Sequence, residues 1–270
     1  MIDYILDIAF DAADEEQVQS FLFLTASTGS VETPSGLSAY FDSADDRAAA
    51  MEMLRGFDLH PYEREREDWL AHYEQSLEPL AIGASFLVAP DARLFPDDAA
   101  RHNKLVVPQE QAFGTGSHET TSLCIELLET IELVGKRGLD VGAGSGILAL
   151  AMLRLGAAKA IAFDNDADAY SALRDNRARN GVEAERMLLF IGSVEALRGG
   201  RFDVVTMNII PEVILPLLGE VAAHVGETLI LSGILADRAA EVVRACALRG
   251  LRLVDEREKG EWWAGAFATA

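Results

Sequence analysis

An α/β protein built on a mostly parallel sheet, with a smaller α+β unit ahead of it, is what three observations predict. From about residue 111 the chain alternates short apolar strands with longer helical patterns, as a parallel sheet covered on both faces requires. A glycine-rich turn, Asp140-Val141-Gly142-Ala143-Gly144-Ser145-Gly146, follows one of those strands and opens a helix. Ahead of this region lies a stretch with strand and helix periodicities of its own, set off by a charge-dense segment.

The elements of the first stretch follow from its periodicities. Residues 2–10 alternate, with Ile2, Tyr4, Leu6, Ile8 and Phe10 on one face, as in a half-buried strand. Asp14 is placed to cap a helix running to about Thr25, with Val18, Phe21, Leu22 and Leu24 as its apolar stripe. Thr33-Pro34-Ser35-Gly36 reads as the turn of a strand pair, and residues 44–55 as a helix ended by Gly56. The predicted α+β unit therefore spans residues 1–60, near the lower size limit for independent stability. From Tyr62 the run Glu63-Arg64-Glu65-Arg66-Glu67-Asp68, followed by Trp69, Leu70 and Tyr73, predicts a linker helix with a solvated charged face, and the linker is set at residues 61–82.

The second unit is set at residues 83–270. Short strands are predicted at 84–89 and 104–107, then strands at 137–142, 159–164, 187–192, 202–208, 227–232 and 250–257, with another at 262–268. Helices are predicted at 119–132, 145–155, 166–179, 211–223 and 237–248. A ligand of such a sheet is expected beyond the carboxyl ends of the strands.

Composition narrows the functional classes. Half of the 270 residues are hydrophobic, enough for a proper core. No apolar run is long enough to span a bilayer, and the acidic, mixed start Met1-Ile2-Asp3-Tyr4 has no signal-peptide pattern, so a soluble cytoplasmic protein is expected. Cys124 and Cys246 stand far apart with no His/Cys cluster, the pattern of two reduced structural thiols, and no metal site is expected. The balance of 23 basic against 44 acidic residues gives a net charge of −21. Such a surface repels phosphate backbones, so direct nucleic-acid binding is not expected, whereas a basic protein partner would be attracted. The same acidity also serves solubility alone, and charge does not separate the two readings.

The candidate site residues lie at strand ends. The glycines at Gly142, Gly144 and Gly146 have G-x-G-x-G spacing, and Asp140 precedes them. A carboxylate there opposes a pyrophosphate and suits a ligand that is cationic at this end; S-adenosylmethionine carries a sulfonium and an ammonium. The second strand ends at Asp164, read as the acceptor for both ribose hydroxyls of an adenosyl group, while capping of the next helix is assigned to Asp166. The fourth strand ends at Asn208, before Ile209-Ile210-Pro211. An amide there faces the transferable methyl group and orients an incoming amine by a carbonyl; the plainer reading is an Asn turn before a Pro-started helix. Upstream, Phe113-Gly114-Thr115-Gly116-Ser117-His118-Glu119-Thr120-Thr121 forms a polar, backbone-accessible loop able to close over the methionine end of the cofactor. Thr120 or Thr121 as a helix cap, with His118 at the surface, is the alternative.

Together these segments resemble the PrmA family, the methyltransferases of ribosomal protein L-eleven. Phe113 to Thr121 is similar to its F-G-T-G-x-H-x-T-T signature, Asp140 to Leu148 to its cofactor loop, and Leu231-Ser232-Gly233-Ile234-Leu235 to its S-G-I-L segment; the likeness covers roughly residues 105–263, including Gly260-Glu261-Trp262. The resemblance implies a Rossmann-like class I methyltransferase domain behind a small substrate-recognition domain. It implies S-adenosylmethionine contacts at Thr121, Gly142, Asp164 and Asn208, joined by Asp140, Gly144 and Gly116 from the reading above, with Asn208 as the catalytic candidate. The implied reaction is methylation of lysine ε-amines, and of an N-terminal amine, on a basic ribosomal protein of the large subunit. Two segments depart from the family pattern: Ile210-Pro211-Glu212 follows Asn208-Ile209, and Pro108-Gln109-Glu110-Gln111 precedes the first signature. A related lysine methyltransferase with another protein target is the alternative within the class; a non-catalytic cofactor-binding module and a nicotinamide-dependent oxidoreductase are the alternatives outside it. An adenine N6-methyltransferase is disfavoured because no aromatic follows the proline to stack a flipped base.

Overall fold

The computed structural model describes residues 2–11, 13–65, 78–97, 102–108 and 118–269. The chain divides between Leu70 and Ala71 into two compact units.

The first unit runs β1 (Ile2–Ala9), α1 (Glu15–Phe23), β2 (Gly29–Thr33), β3 (Gly36–Phe41), α2 (Ala44–Met53), β4 (Asp58–Glu65). Its strands form one antiparallel sheet in the order β2-β3-β1-β4, the split βαβ arrangement. Leu6 and Ile8 of β1, Leu37, Ala39 and Phe41 of β3, Val18 and Leu22 of α1 and Ala50 of α2 close one core. Ser43 caps α2 by accepting the Asp46 amide proton at 3.1 Å. Asp14 stands at the N-cap of α1, but its side chain makes no capping bond. The linker expected over 61–82 is corrected at both ends. Residues 61–65 continue β4 instead of starting a helix, and 80–82 form a strand of the second unit; the residues between 65 and 78 lie outside those described.

The second unit opens with β5 (Leu80–Ile82), β6 (Phe86–Ala89) and β7 (Asn103–Val106), a three-stranded sheet. It continues α3 (Glu119–Leu128), β8 (Arg137–Val141), α4 (Ile147–Arg154), β9 (Lys159–Asp164), α5 (Ala167–Arg179), β10 (Met187–Ile191), β11 (Phe202–Asn208), α6 (Pro211–His224), β12 (Val225–Leu235), α7 (Ala239–Ala247), β13 (Leu251–Lys259) and β14 (Trp262–Thr269). The large sheet has the order β10-β9-β8-β11-β12-β14-β13. Its neighbours pair in parallel from β10 to β12, whereas β14 runs antiparallel to both β12 and β13.

Alternation along the strands sends side chains to two cores. Ala160 and Ala162 of β9 and Val204 of β11 join α3 and α4 on one face. Leu139, Val141, Phe163, Val205 and Met207 join Ile214, Leu218 and Val221 of α6 and Val242 of α7 on the other. Two side chains tie the small sheet to this body. Glu129, at the end of α3, accepts from the amides of Ala84 and Ser85 at 2.8 and 2.7 Å, and Asn180, at the end of α5, pairs with both the N–H and the C=O of Val106.

Candidate active site

Among the described residues, a cleft is lined from the carboxyl ends of β8, β9 and β11, the turn after β8 and the starts of α3, α4 and α6. The cleft holds about 300 Å³ and is bounded by Thr121, Asp140, Gly142, Gly144, Asp164 and Asn208, with an apolar wall that includes Ile147, Ile209, Ile210 and Val213. Six of the seven candidate residues are thus brought together; Gly116, with the loop from Phe113 to Ser117, lies outside the described residues.

The glycine turn is close to the strands around it. Gly142 has φ +67°, a conformation that strains any other residue, and a Cβ there would stand 3.0 Å from Cγ2 of Ile209, a tight contact. Ser145 O accepts from Asn176 Nδ2 of α5 at 3.0 Å, which fixes the far end of the turn.

Asp164 braces the turn from β9. Its Oδ2 accepts the Gly144 amide proton at 2.9 Å and its Oδ1 that of Asp166 at 3.1 Å. An ionised carboxylate has about four acceptor positions, so both oxygens keep capacity for hydroxyl donors. Capping of α5 falls to Asp166, which accepts the Asp168 amide proton at 2.9 Å.

Asp140 differs from its expected setting. It does not stand as an open charge at the mouth of the turn but is 1% exposed. Oδ1 accepts from the Thr206 hydroxyl at 2.7 Å and Oδ2 from the Ala149 amide at 3.1 Å, so it caps α4, whose N-cap position is a glycine. Burial pushes its pKa up to about 7, against the opposing pull of the Thr206 and Ala149 bonds. Near neutral pH Asp140 is therefore held between its two protonation states.

Asn208 closes the cleft at the end of β11. Its Nδ2 donates to Thr121 Oγ1 at 3.4 Å, and its buried Oδ1 has no partner among the described residues. Buried acceptors are ordinarily satisfied, so an unpaired one on a residue that lines the cleft marks a place for a donor. The segment that carries it is held by the Ser232-Gly233 pair of β12. Ser232 O accepts the Ile209 amide proton at 3.2 Å, and Ser232 Oγ donates to Thr120 O at 3.2 Å. Gly233 has φ +80°, and a Cβ there would lie 2.6 Å from Ile209 O. The first turn of α3 is capped by His118, not by either threonine. His118 Nδ1 accepts the Thr120 amide proton at 3.3 Å, and its ring meets the Trp262 ring edge-on at 5.0 Å. Histidine is not a favoured cap, so no sequence signal pointed to it. The apolar wall was also missed, since Ile210 and Val213 carry no chemistry that a motif would single out.

Cys124 and Cys246 are buried and free, and burial raises both thiols above their ordinary range, Cys246 to about 12. Among the described residues no group of His, Cys, Asp or Glu is arranged to hold a metal ion, and no helix is long and apolar enough to cross a membrane.

A parallel sheet in this order, with its penultimate strand reversed and a glycine turn at the end of a central strand, defines the class I methyltransferase fold. A solved structure agrees: the ribosomal protein L11 methylase of Lactobacillus delbrueckii subsp. bulgaricus is similar with a TM-score of 0.66 at 26% identity, over 72% of this chain and 99% of that one. Residues 7–269 match the family described as "Ribosomal protein L11 methyltransferase (PrmA)", and the chain belongs to that family. Two curated relatives of the same name are 43% identical over 198 residues, from Geobacter sulfurreducens, and 38% identical over 224 residues, from Azotobacter vinelandii. The alignments cover 73% and 81% of this chain, and 64% and 75% of the relatives' own lengths.

Proposed function

We propose that the chain is an S-adenosylmethionine-dependent protein methyltransferase. Its substrates on this reading are lysine ε-amines, and an N-terminal α-amine where one is presented, of ribosomal protein L11. The observation that carries the proposal is the cleft that unites Asp164, the glycine turn, Asp140, Thr121 and the unpaired Oδ1 of Asn208. These residues fit the cofactor's chemistry: Asp164 offers spare acceptor positions for ribose hydroxyls, Asp140 a carboxylate ready to ionise beside a cation, and the turn a backbone left bare at Gly142 and Gly144. When bound, S-adenosylmethionine supplies a methyl group already activated on a sulfonium and leaves after in-line displacement as S-adenosylhomocysteine.

The residues of the chain then act by positioning. Thr121 Oγ holds the amide of Asn208 by its nitrogen, which leaves Oδ1 for another donor. That oxygen accepts an N–H of the incoming amine and so aims the lone pair. Because an amide is neutral, it does this without forming the charge pair by which a carboxylate would hold the ammonium form, which has no lone pair to attack with. A lysine near its reference pKa of about 10.4 is mostly charged at neutral pH, so its proton must leave before transfer. No side chain of the cleft stands out as its acceptor, and release to solvent suffices.

On this reading delivery follows from charge: a chain at −21 attracts a basic protein and repels nucleic acid, and the compartment that suits the reaction is the cytoplasm. The test is incubation with labelled S-adenosylmethionine and recombinant ribosomal protein L11, alongside whole-cell lysate, with mass spectrometry of the labelled protein. Label on lysines of that protein is expected. Label on a different protein would move the target, and cofactor binding with no transfer to any protein would reduce the chain to a binding module. The departure at Ile210-Pro211-Glu212, whose first residue lies on the cleft wall, is the specific reason to include the lysate.

A further inference from the structure

We infer that Ile210 and Val213 form an apolar collar that takes the methylene stem of the target lysine and strips water from its ε-amine. The inference rests on the reading of the chain as a lysine methyltransferase and names the residues that select and prepare the acceptor.

Both side chains line the cleft, yet Ile210 is 53% and Val213 41% exposed. Large aliphatic groups grouped at a cleft mouth mark a surface that a ligand covers. Their placement is enforced by the backbone. Pro211 opens α6 immediately after Ile210, which is extended at φ −69° and ψ 151°. Ile209 is turned inward over Gly142, and this leaves Ile210 facing out. Val213 lies three residues further on, its N–H donating to Ile210 O at 3.0 Å, so the two side chains are neighbours on one face. Asn208, with its unpaired Oδ1, is two residues before the collar.

The carboxylates near the collar each have partners of their own. Asp140 from β8 is bound to Thr206 and Ala149, and Asp164 from β9 to two backbone amides. Glu212 of α6, which with Pro211 lies between the two collar positions, pairs with Arg238, which also pairs with Glu241. An uncommitted carboxylate here would hold lysine as ammonium, whereas an apolar ring lowers the amine's pKa by desolvation. The collar thus grips four methylenes and leaves a neutral amine at the Asn208 oxygen.

The test compares the full chain with Val213→Thr and with Ile210→Thr/Val213→Thr. Methyl transfer to recombinant ribosomal protein L11 is followed between about pH 7 and pH 10, across the rise toward the lysine pKa, with each profile scaled to its own maximum. Scaling removes any difference in folded fraction, and the near-isosteric Val213→Thr guards against misfolding of the double variant. The rising limb is expected to move up by about one pH unit in the double variant and part of the way in the single one. Superimposable profiles would overturn the collar while leaving the methyltransferase reading intact. If the wild-type chain binds cofactor but labels no lysine, the functional reading itself falls and takes the collar with it.

Discussion

Asn208 and Asp140 are both polar groups inside the cleft, and they are unsatisfied in different ways. Asn208 has an acceptor with no donor. On the proposed reading, replacing it by alanine removes the group that aims the amine but leaves the glycine turn and Asp164 in place. Asn208→Ala is therefore expected to cut turnover by ten- to a thousand-fold, within the usual range for loss of a positioned polar group, with a much smaller change in cofactor affinity. Single-turnover kinetics with calorimetry on the same sample would check this, and unchanged turnover would remove Asn208 from the chemistry. Asp140 has both donors it needs but the wrong solvent. In the unfolded chain its carboxyl loses its proton near pH 4; in the folded chain it keeps it until about 7. Between those values the folded state binds more protons, so stability from this group falls as pH rises and levels off above about 7. Wild type should lose stability relative to Asp140→Asn from pH 5 to pH 8, by an amount on the order of 2 kcal/mol. Urea melts of both proteins at the two pH values would show it, and an unchanged difference would mean that Asp140 titrates normally.

At the scale of elements, the loop that carries Asn208 depends on a residue with no side chain. Gly233 lies where β12 shifts register against β14, and its missing Cβ makes room for the Ile209 carbonyl. Gly233→Ala places a methyl group 2.6 Å from that oxygen at a positive φ. It is expected to cost about 1–3 kcal/mol and to lower turnover more than cofactor affinity, because the displaced segment is the one that ends at Asn208. Thermal melts and steady-state kinetics would test both effects; a stable, fully active variant would show that the contact is dispensable. The same elements show what was readable in advance. Strands 159–164 and 202–208 have the predicted bounds, since buried parallel strands are nearly all apolar and end abruptly at polar residues. β4 was read as a helix from Tyr62 because an edge strand with Glu63 and Arg64 exposed has no apolar periodicity to betray it. β5, at three residues, is too short for any period to register. In the cleft, Asp164 and Asn208 were legible as polar residues ending apolar strands. The burial of Asp140 was not, because its partner Thr206 is 66 residues away and reaches it only through strand pairing.

For the whole molecule, charge is distributed as unevenly as structure. Residues 1–65 have Arg47, Arg55 and Arg64 as their only arginine or lysine residues and are rich in Asp and Glu. Encounter with a basic protein substrate is therefore expected to weaken with salt: kcat/KM should fall by about tenfold between low and physiological-to-high ionic strength, with the affinity for S-adenosylmethionine little changed. A salt-independent kcat/KM would show that recognition is not electrostatic. The strand order of the large sheet has a further consequence, for synthesis. Every residue that bounds the cleft has been polymerised by Val213, and β12 and β13 by Lys259. Yet β12 and β13 do not pair with each other; the strand that joins them is β14, which is made after both and brings Trp263 into the core. A nascent chain that has emerged only as far as Glu261 thus carries the whole binding cleft on a sheet with a gap in it. Such a chain must wait for eight more residues before its sheet can close, so its cleft is encoded early in translation and made rigid late.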